Sequence, residues 1–396
     1  MDVGIVGAGI VGLTLARQLG LSDPSCRVTI LEKESAIGQH QTSHNSGVVH
    51  AGLYYKPGSL KAQLCTRGRG LLREYCQANN LPFKESGKLV VALDESERAG
   101  LEEIHRRATA NGVPDLAWLD GAAMAEIEPH VRGYAAVHSP HTGVVDFPAV
   151  AATVAEEVVK AGAGLHTDSP VTAITRRNGR IQVLAGGASH TFDRLVVCAG
   201  LQSDRVSRLG GGPADPAIVP FLGMYYRLLP TRTHLVRSLI YPVPDPRYPF
   251  LGVHLTRTVH DEVLVGPNAL LALSREGYRA TRVDPKDVAA TLRWPGFYKL
   301  AQKHWKAGAR ELAVAASRKA FVAAARRYVP DLGENDVERA RAGVRAQAVT
   351  ITGGLVDDFA LVDVDGILSV RNAPSPAATS SFAIAEHLAP TVLGTR

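Results

Sequence analysis

The sequence predicts an α/β protein, α+β overall. It should hold a discontinuous Rossmann-like lobe and a β-sheet lobe that carries helices. Three observations predict this. A strand, a glycine-rich turn, a helix and a second strand ending in an acid fill the first 32 residues. A second buried strand ending in glycine, Arg194 to Gly200, lies far along the chain. Between and beyond them the pattern is β-rich over 216–275 and helical over 283–328.

Val3-Gly4-Ile5-Val6 is a short apolar run that predicts a buried parallel strand. Gly7-Ala8-Gly9-Ile10-Val11-Gly12 follows, then helical spacing from Leu13 to Leu19, then the strand Val28–Leu31, which Glu32 ends. Gly7 permits the tight turn, Gly9 lets a pyrophosphate approach the backbone, and Gly12 lets the helix pack on the strand. The helix N-terminus, with Ile10 and Val11 in its first turn, offers free N–H groups to that diphosphate. Glu32, followed by Lys33, can accept hydrogen bonds from a ribose. It does not choose between NAD and FAD, since both carry a ribose 2′-hydroxyl. The stretch 38–58 is polar and glycine-punctuated, a poor helix and a poor strand, suited to wrapping an extended cofactor.

Helices are predicted over 61–80, 95–111 and 146–161, and a strand over 88–93. Val171–Thr175, Ile181–Leu184 and His190–Phe192 predict a small antiparallel group with a turn at Asn178-Gly179. Arg194–Gly200 is expected to return to the first sheet and bring Ala199 and Gly200 beside the cofactor. A last strand, Gly366–Val370, leads through the small-residue loop 372–379 into a final helix, 380–388. The chain thus divides into a cofactor domain of 1–82, 145–215 and 335–396, around a substrate domain of 83–144 and 216–334.

The composition fits a soluble globular protein with a large core: 396 residues, 45% apolar and 21% charged. Lysine and arginine number 44 against 38 acids, a net charge of +6. That suits an anionic substrate, a diphosphate or an anionic surface, and is too weak to imply nucleic acid. Four scattered cysteines, none in a CxxC pair or with zinc spacing, predict a reduced cytoplasmic protein without a metal site. No signal peptide is visible, and no run of about 18 apolar residues predicts a membrane span.

Several longer stretches are more specific than the glycine turn: 44–55, 57–62, 239–246, 249–254, 266–269, 343–347 and 372–379. Through them the chain resembles, almost end to end, the FAD-dependent oxidoreductases of the D-amino-acid oxidase superfamily. Within these it is most similar to the L-2-hydroxyglutarate oxidases/dehydrogenases. The resemblance implies FAD and oxidation of L-2-hydroxyglutarate, a small dicarboxylic 2-hydroxy acid, to 2-oxoglutarate; some superfamily relatives attach FAD through a histidine or cysteine, and here it is expected to be noncovalent. Hydride would pass to flavin N5, and onward electrons to a quinone or to oxygen. One departure stands out: family members often carry a basic and an acidic residue in the segment 220–226, where this chain has Leu222 and Met224.

His50 is the first candidate base or substrate orienter, because it follows the cofactor-wrapping loop and imidazole titrates near neutrality. His254 is the second. In a strand it shares a face with Thr256 while Arg257 points away. Arg345, on one face with Gln347, is expected to clamp a substrate carboxylate with its planar fork, a role the resemblance implies. Asn268, Tyr54 and Tyr241 are further pocket candidates. His44, Asn45, Ser46 and Gly47, together with Val171, Pro374, Ser375, Ala377 and Ala378, are expected around the cofactor.

The segment 297–327 carries eight basic residues and one acid, Glu311, interleaved with apolar side chains. It predicts either a packed helix with a solvated basic face or a helix lying on an anionic membrane from the cytoplasmic side. Other superfamily chemistries, on glycerol 3-phosphate or on amino or N-methyl acids, remain rivals, as does a flavin-binding scaffold without turnover.

Overall fold

The computed structural model describes residues 1–245 and 250–395. Pro246 and Pro249, at the ends of two of the resembling stretches, lie outside the described residues.

A six-stranded sheet organises the first lobe. Its spatial order is Ala360–Val364, Ile367–Asn372, Arg194–Val197, Asp2–Val6, Arg27–Leu31 and Gly164–His166. All neighbours are parallel except the first pair. Parallel strands are covered on both faces, and the side chains divide accordingly. Val3, Ile5, Val28, Ile30 and Val196 face the helices Ile10–Ser22, Phe147–Lys160 and Ser381–Leu393. Val6, Leu31, Leu195 and Val197 face the other way, onto Ile174, Ile181, Val183 and Phe192 of an antiparallel three-stranded sheet. That sheet has its predicted turn, with Asn178 and Gly179 both at positive φ. Arg194–Val197 does return to pair with Asp2–Val6.

An eight-stranded mixed sheet organises the rest. Its order is Val337–Arg339, Tyr226–Leu228, Val263–Gly266, His254–Arg257, Leu239–Pro242, Lys88–Ala92, Ala135–Ser139 and Ala117–Asp120. One face buries Leu89, Val91, Ile240, Leu255 and Val265 against Phe321 and Val322 of the helix Arg318–Arg326. Register fixes the opposite face. Leu239 lies opposite both Lys88 and Thr256. Two residues on, Tyr241 shares that face, as His254 does two residues before Thr256. Lys88, Tyr241, His254 and Thr256 therefore form one patch.

A smaller sheet pairs Ala217–Gly223 with Gly343–Val349, setting Arg345 opposite Phe221. Leu222 lies in an apolar cluster with Leu201, Leu270 and Val344. A third, of Val48–Val49, Gly143–Val145 and Phe83–Glu85, fixes the chain just before His50.

The basic segment is not one helix. Pro295–Ala316 has a break at His304, and Arg318–Arg326 follows as a separate helix. Its apolar residues divide as well. Leu300, Phe321 and Val322 are buried, whereas Tyr298, Trp305 and Leu312 are exposed, the last two by 64% and 63%. The final helix runs five residues beyond the predicted Leu388, because Pro390 near its end leaves the earlier turns intact.

Candidate active site

A cavity of about 420 Å³ opens at the C-terminal ends of the first-sheet strands, within the range of small-molecule and cofactor sites. Gly7, Gly9, Ile10, Val11, Glu32, Lys33, Val171, Ala199, Gly200, Ala377 and Ala378 all line it. Gly7 has φ +104°, and a Cβ there would fall 2.5 Å from the Cys198 carbonyl. Gly12 does not line the cavity; its role is packing, since a Cβ would meet the Gly7 carbonyl oxygen at 2.1 Å. Gly9 carries no side chain to cap the helix, no acid sits in its first turn, and the Ile10 N–H is taken by Thr42 Oγ1 at 3.0 Å. The other N-terminal N–H groups leave room and charge for a diphosphate. Glu32 accepts from the backbone N–H groups of Ala8 at 2.7 Å and Glu34 at 3.0 Å, which aims its carboxylate into the cavity.

Sequence reasoning missed the segment 274–282, which shows no periodicity and from which Glu276 lines this cavity. Tyr278 stacks on His44 at 3.7 Å and its hydroxyl meets His40 Nδ1 at 2.8 Å. Glu276 pairs with Lys33 at 3.0 Å and accepts from Gln202 at 2.8 Å. Glu34, His40 and Glu276 bring three potential metal-ligand atoms together. The Lys33 ammonium already lies among them, 2.9 Å from His40, so the group is an ion-pair network.

The loop 44–47 differs in detail from its predicted part. Asn45 spends its amide on the loop itself: Nδ2 donates to the carbonyls of Gln41 and Thr42, and Oδ1 accepts from Gly47 N–H. His44 is engaged with Tyr278, and the Ser46 hydroxyl bonds Tyr225. None of these four residues lines the described cavity, and neither do Pro374 and Ser375.

Beyond this loop the other candidates converge. The His50 backbone is clamped: Thr379 Oγ1 accepts its N–H, and Cys65 Sγ donates to its carbonyl. Its Nε2 lies 3.4 Å from Ser375 Oγ. His254 stacks on Tyr241, ring centroids 4.0 Å apart. Its Nδ1 donates to the Gly252 carbonyl at 2.9 Å, which leaves the Nε2 lone pair free in the neutral ring. Burial lowers His50 well below the usual imidazole range, helped by the charges of Lys88, His254, Lys61 and Arg345. Burial pushes His254 down to about 3. Arg345 stands over the Phe250 ring at 5.5 Å. The Tyr54 hydroxyl is buried without a partner, and the Thr256 hydroxyl lies beside that of Tyr241. Arg257 pairs with Asp261 at 3.1 Å, as expected of a residue on the other face.

Two candidates stand apart. The Gln347 amide donates to the carbonyls of Ala348 and Val356, fixing the loop behind its strand. Asn268 Oδ1 accepts from Met224 N–H, a turn-holding contact beside the cis Gly266–Pro267 bond.

Lys88 went unnoticed in the sequence because Lys88–Ala92 shows an ordinary strand pattern. It is wholly buried, its Nζ has no hydrogen-bond partner, and it lies 4.0 Å from the Tyr241 ring centroid.

A parallel sheet that presents a glycine-turn cavity beside a histidine-rich, arginine-bearing sheet face is the architecture of a flavin oxidoreductase. The chain belongs to the FAD dependent oxidoreductase (DAO) family, whose model matches residues 2–391. It is 46% identical over 397 residues to the mitochondrial L-2-hydroxyglutarate dehydrogenase of Caenorhabditis elegans, covering 98% of this chain and 92% of the relative. Against the L-2-hydroxyglutarate dehydrogenase of Indibacter alkaliphilus it is 43% identical, with 96% of each chain covered. Against the human mitochondrial enzyme of that name it is 42% identical, with 98% and 88% covered. In fold it matches L-alpha-glycerophosphate oxidase from Mycoplasma pneumoniae solved with FAD bound, at a TM-score of 0.80 and 22% identity, covering 99% and 94% of the two chains. Glycine oxidase from Geobacillus kaustophilus matches at 0.73 and 19%, with the same coverage. The protein is thus an FAD-dependent oxidoreductase, and the helix N-terminus, glycine cradle and inward carboxylate fit that cofactor.

Proposed function

We propose that this protein oxidises L-2-hydroxyglutarate to 2-oxoglutarate. The observation that carries the reading is the cluster of His50, His254 and Arg345, in which the charges that act on both histidines are cationic. Such a site favours a dianion and suits a reaction that must remove a hydroxyl proton. The names of the relatives above support the choice of substrate. FAD, when bound, supplies the two-electron acceptor for the hydride from C2.

The chain's own residues bind and move the proton. Arg345 holds one carboxylate. His254, with Nε2 free, or His50 accepts the proton from the C2 hydroxyl. Both rings are weak bases in the free protein. A bound dicarboxylate offsets the neighbouring cations and raises their basicity. Tyr54, Tyr241 and Thr256 frame the substrate from the sheet face. Glu32 and the glycine turn hold the cofactor's ribose and diphosphate, and Pro374, Ser375 and the loop 44–47 border its ring. In this reading the six-stranded sheet belongs to a cofactor domain built from 1–82, 145–215 and 335–396, with 83–144 and 216–334 holding the substrate.

Bound FAD would pass the electrons on to a quinone or to oxygen. No helix of the described residues is long and apolar enough to cross a membrane. The exposed Tyr298, Trp305 and Leu312, with Lys299, Lys303 and Lys306 on the same helix, support peripheral docking on an anionic lipid surface.

Anaerobic mixing of the holoprotein with each enantiomer of 2-hydroxyglutarate tests the proposal. The L form should bleach the flavin absorbance, and the D form should not. Bleaching only by glycerol 3-phosphate or by an amino acid would replace the assignment with that chemistry.

A further inference from the structure

Lys88 is the least explained charge in the molecule. A lysine with no exposed surface and no hydrogen-bond acceptor is costly, because an ammonium loses its hydration and gains no hydrogen bond in return. Strand register puts it there: Lys88, Leu239 and Thr256 lie side by side across the large sheet, and Tyr241 and His254 follow on the same face. The ammonium sits 4.0 Å from the Tyr241 ring centroid and 5.7 Å from that of Tyr54. The Tyr241 ring in turn stacks on His254 at 4.0 Å. One aromatic ring thus contacts both the buried cation and the imidazole.

We propose that Lys88 is a positioning residue. Through the Tyr241 ring and through its own charge, it keeps His254 and His50 unprotonated and fixed, ready to take the substrate's hydroxyl proton. The proposal rests on the reading of this site as the place where a 2-hydroxy acid is oxidised.

The charged and titratable groups facing the two rings are consistent with this role. Lys88 from the large sheet and Arg345 from the small one act on both rings. Lys61 from the helix Leu60–Ala78 acts on His50, as His254 does, and Lys61 is itself paired with Asp357 at 3.0 Å. The tyrosines 54, 225 and 241 and the thiol of Cys65 complete the surroundings. Burial raises all four of these and keeps them neutral. Burial also brings Lys88 down to about 7. The amine is therefore charged on the acid side of neutrality, where an ordinary histidine would begin to protonate. A cation beside an imidazole disfavours the second charge. The Nδ1–H bond to Gly252 fixes which nitrogen of His254 stays open. A cation against the face of Tyr241 steadies the ring on which that imidazole stacks.

Lys88→Met tests this, since it keeps the chain's bulk and removes its charge. Flavin reduction by L-2-hydroxyglutarate should be followed anaerobically from pH 5 to 9. The acid limb of the second-order reduction constant reports the free enzyme. In the variant it should move up by about one pH unit, which means roughly a tenfold loss relative to wild type at pH values below the wild-type limb. Near pH 8.5 the two should agree within about threefold. Parallel profiles, merely scaled, would reduce Lys88 to a structural role and overturn the proposal. A second readout needs no turnover. Histidine labelled with ¹³C should show His50 and His254 neutral at pH 5.5 in the wild-type holoprotein, and on further acidification should show at least one of them protonating at a higher pH in the variant than in the wild type. Lys88→Gln serves if the methionine variant loses its flavin. If neither variant folds, wild-type histidines that titrate near 6.5 would still refute the idea, and rings neutral to pH 5.5 would support it. Failure of L-2-hydroxyglutarate to bleach the wild-type flavin would sink the substrate assignment alone, with the histidine titration still deciding the role of Lys88.

Discussion

Gly12→Ala adds one methyl group to the turn between the first strand and the first helix. The new Cβ would lie 2.1 Å from the Gly7 carbonyl oxygen and 3.3 Å from Ile5 Cγ2. A carbon and an oxygen need about 3.2 Å, so the helix must withdraw by roughly 1 Å or the turn must unwind. The obstacle is backbone and cannot rotate away. Overpacking of this kind costs about 1–3 kcal/mol. Because the displaced atoms form the cofactor cradle, most of that cost should fall on FAD affinity, roughly 5- to 150-fold in Kd. Gly20→Ala is the matched control: it lies in the same helix with nothing within 4 Å of its Cβ position. It should stabilise the protein by about 0.4–1 kcal/mol. The assay is FAD titration of the apoprotein by flavin fluorescence quenching, with thermal unfolding of each holoprotein. If Gly12→Ala bound FAD as tightly as wild type, the glycine would not be needed for packing and the account of the turn would fail.

The Asp204–Arg275 pair is almost fully buried, and Arg275 also donates to the carbonyls of Leu201 and Ile218. Arg275→Leu should destabilise by about 3–5 kcal/mol, measured by chemical denaturation, because it strands a buried carboxylate. Burial alone would raise Asp204, but Arg275 outweighs it and holds the group below 3.8. Its contribution is therefore complete above that value and lost as pH falls through the lower folded pKa, so acid should narrow the gap between variant and wild type. Arg345→Ala should raise the substrate concentration for half-maximal flavin reduction at least tenfold, and should affect monocarboxylic 2-hydroxy acids as well. Equal affinity in the variant would move the carboxylate clamp elsewhere. Trp305→Ser with Leu312→Ser should cut binding to phosphatidylglycerol vesicles several-fold and leave dye-linked activity unchanged. Binding that resists 0.5 M salt would argue against the electrostatic part of that surface.

What was legible in the sequence follows from range. The first strand, turn, helix and Glu32 lie within 32 residues, and local spacing encodes them. The return of Arg194–Val197 to the first sheet was legible because a core position best accommodates an apolar run such as Leu195-Val196-Val197-Cys198. His254 and Thr256 on one face followed from strand alternation. Lys88 and the pair Glu276 and Tyr278 did not emerge, for opposite reasons. Lys88 joins the site only through pairing with residues about 150 positions away. Glu276 and Tyr278 sit in a segment with no periodicity at all. In the basic segment the helical pattern was legible, but charge counts do not reveal the break at His304 or where each apolar residue points.

The order of strands in the six-stranded sheet has a consequence for how the protein is made. Arg194–Val197 sits between Asp2–Val6 and Ile367–Asn372, so one side of the amino-terminal half stays bare until the last strand is synthesised. The helix Ser381–Leu393, which covers the first helix, arrives later still. A growing chain therefore emerges from the ribosome with its nucleotide cradle half walled and its apolar sheet uncovered. Val370 to Ala373, Ala377 and Ala378 line that cradle, so its wall is complete only when nearly the whole chain has been made.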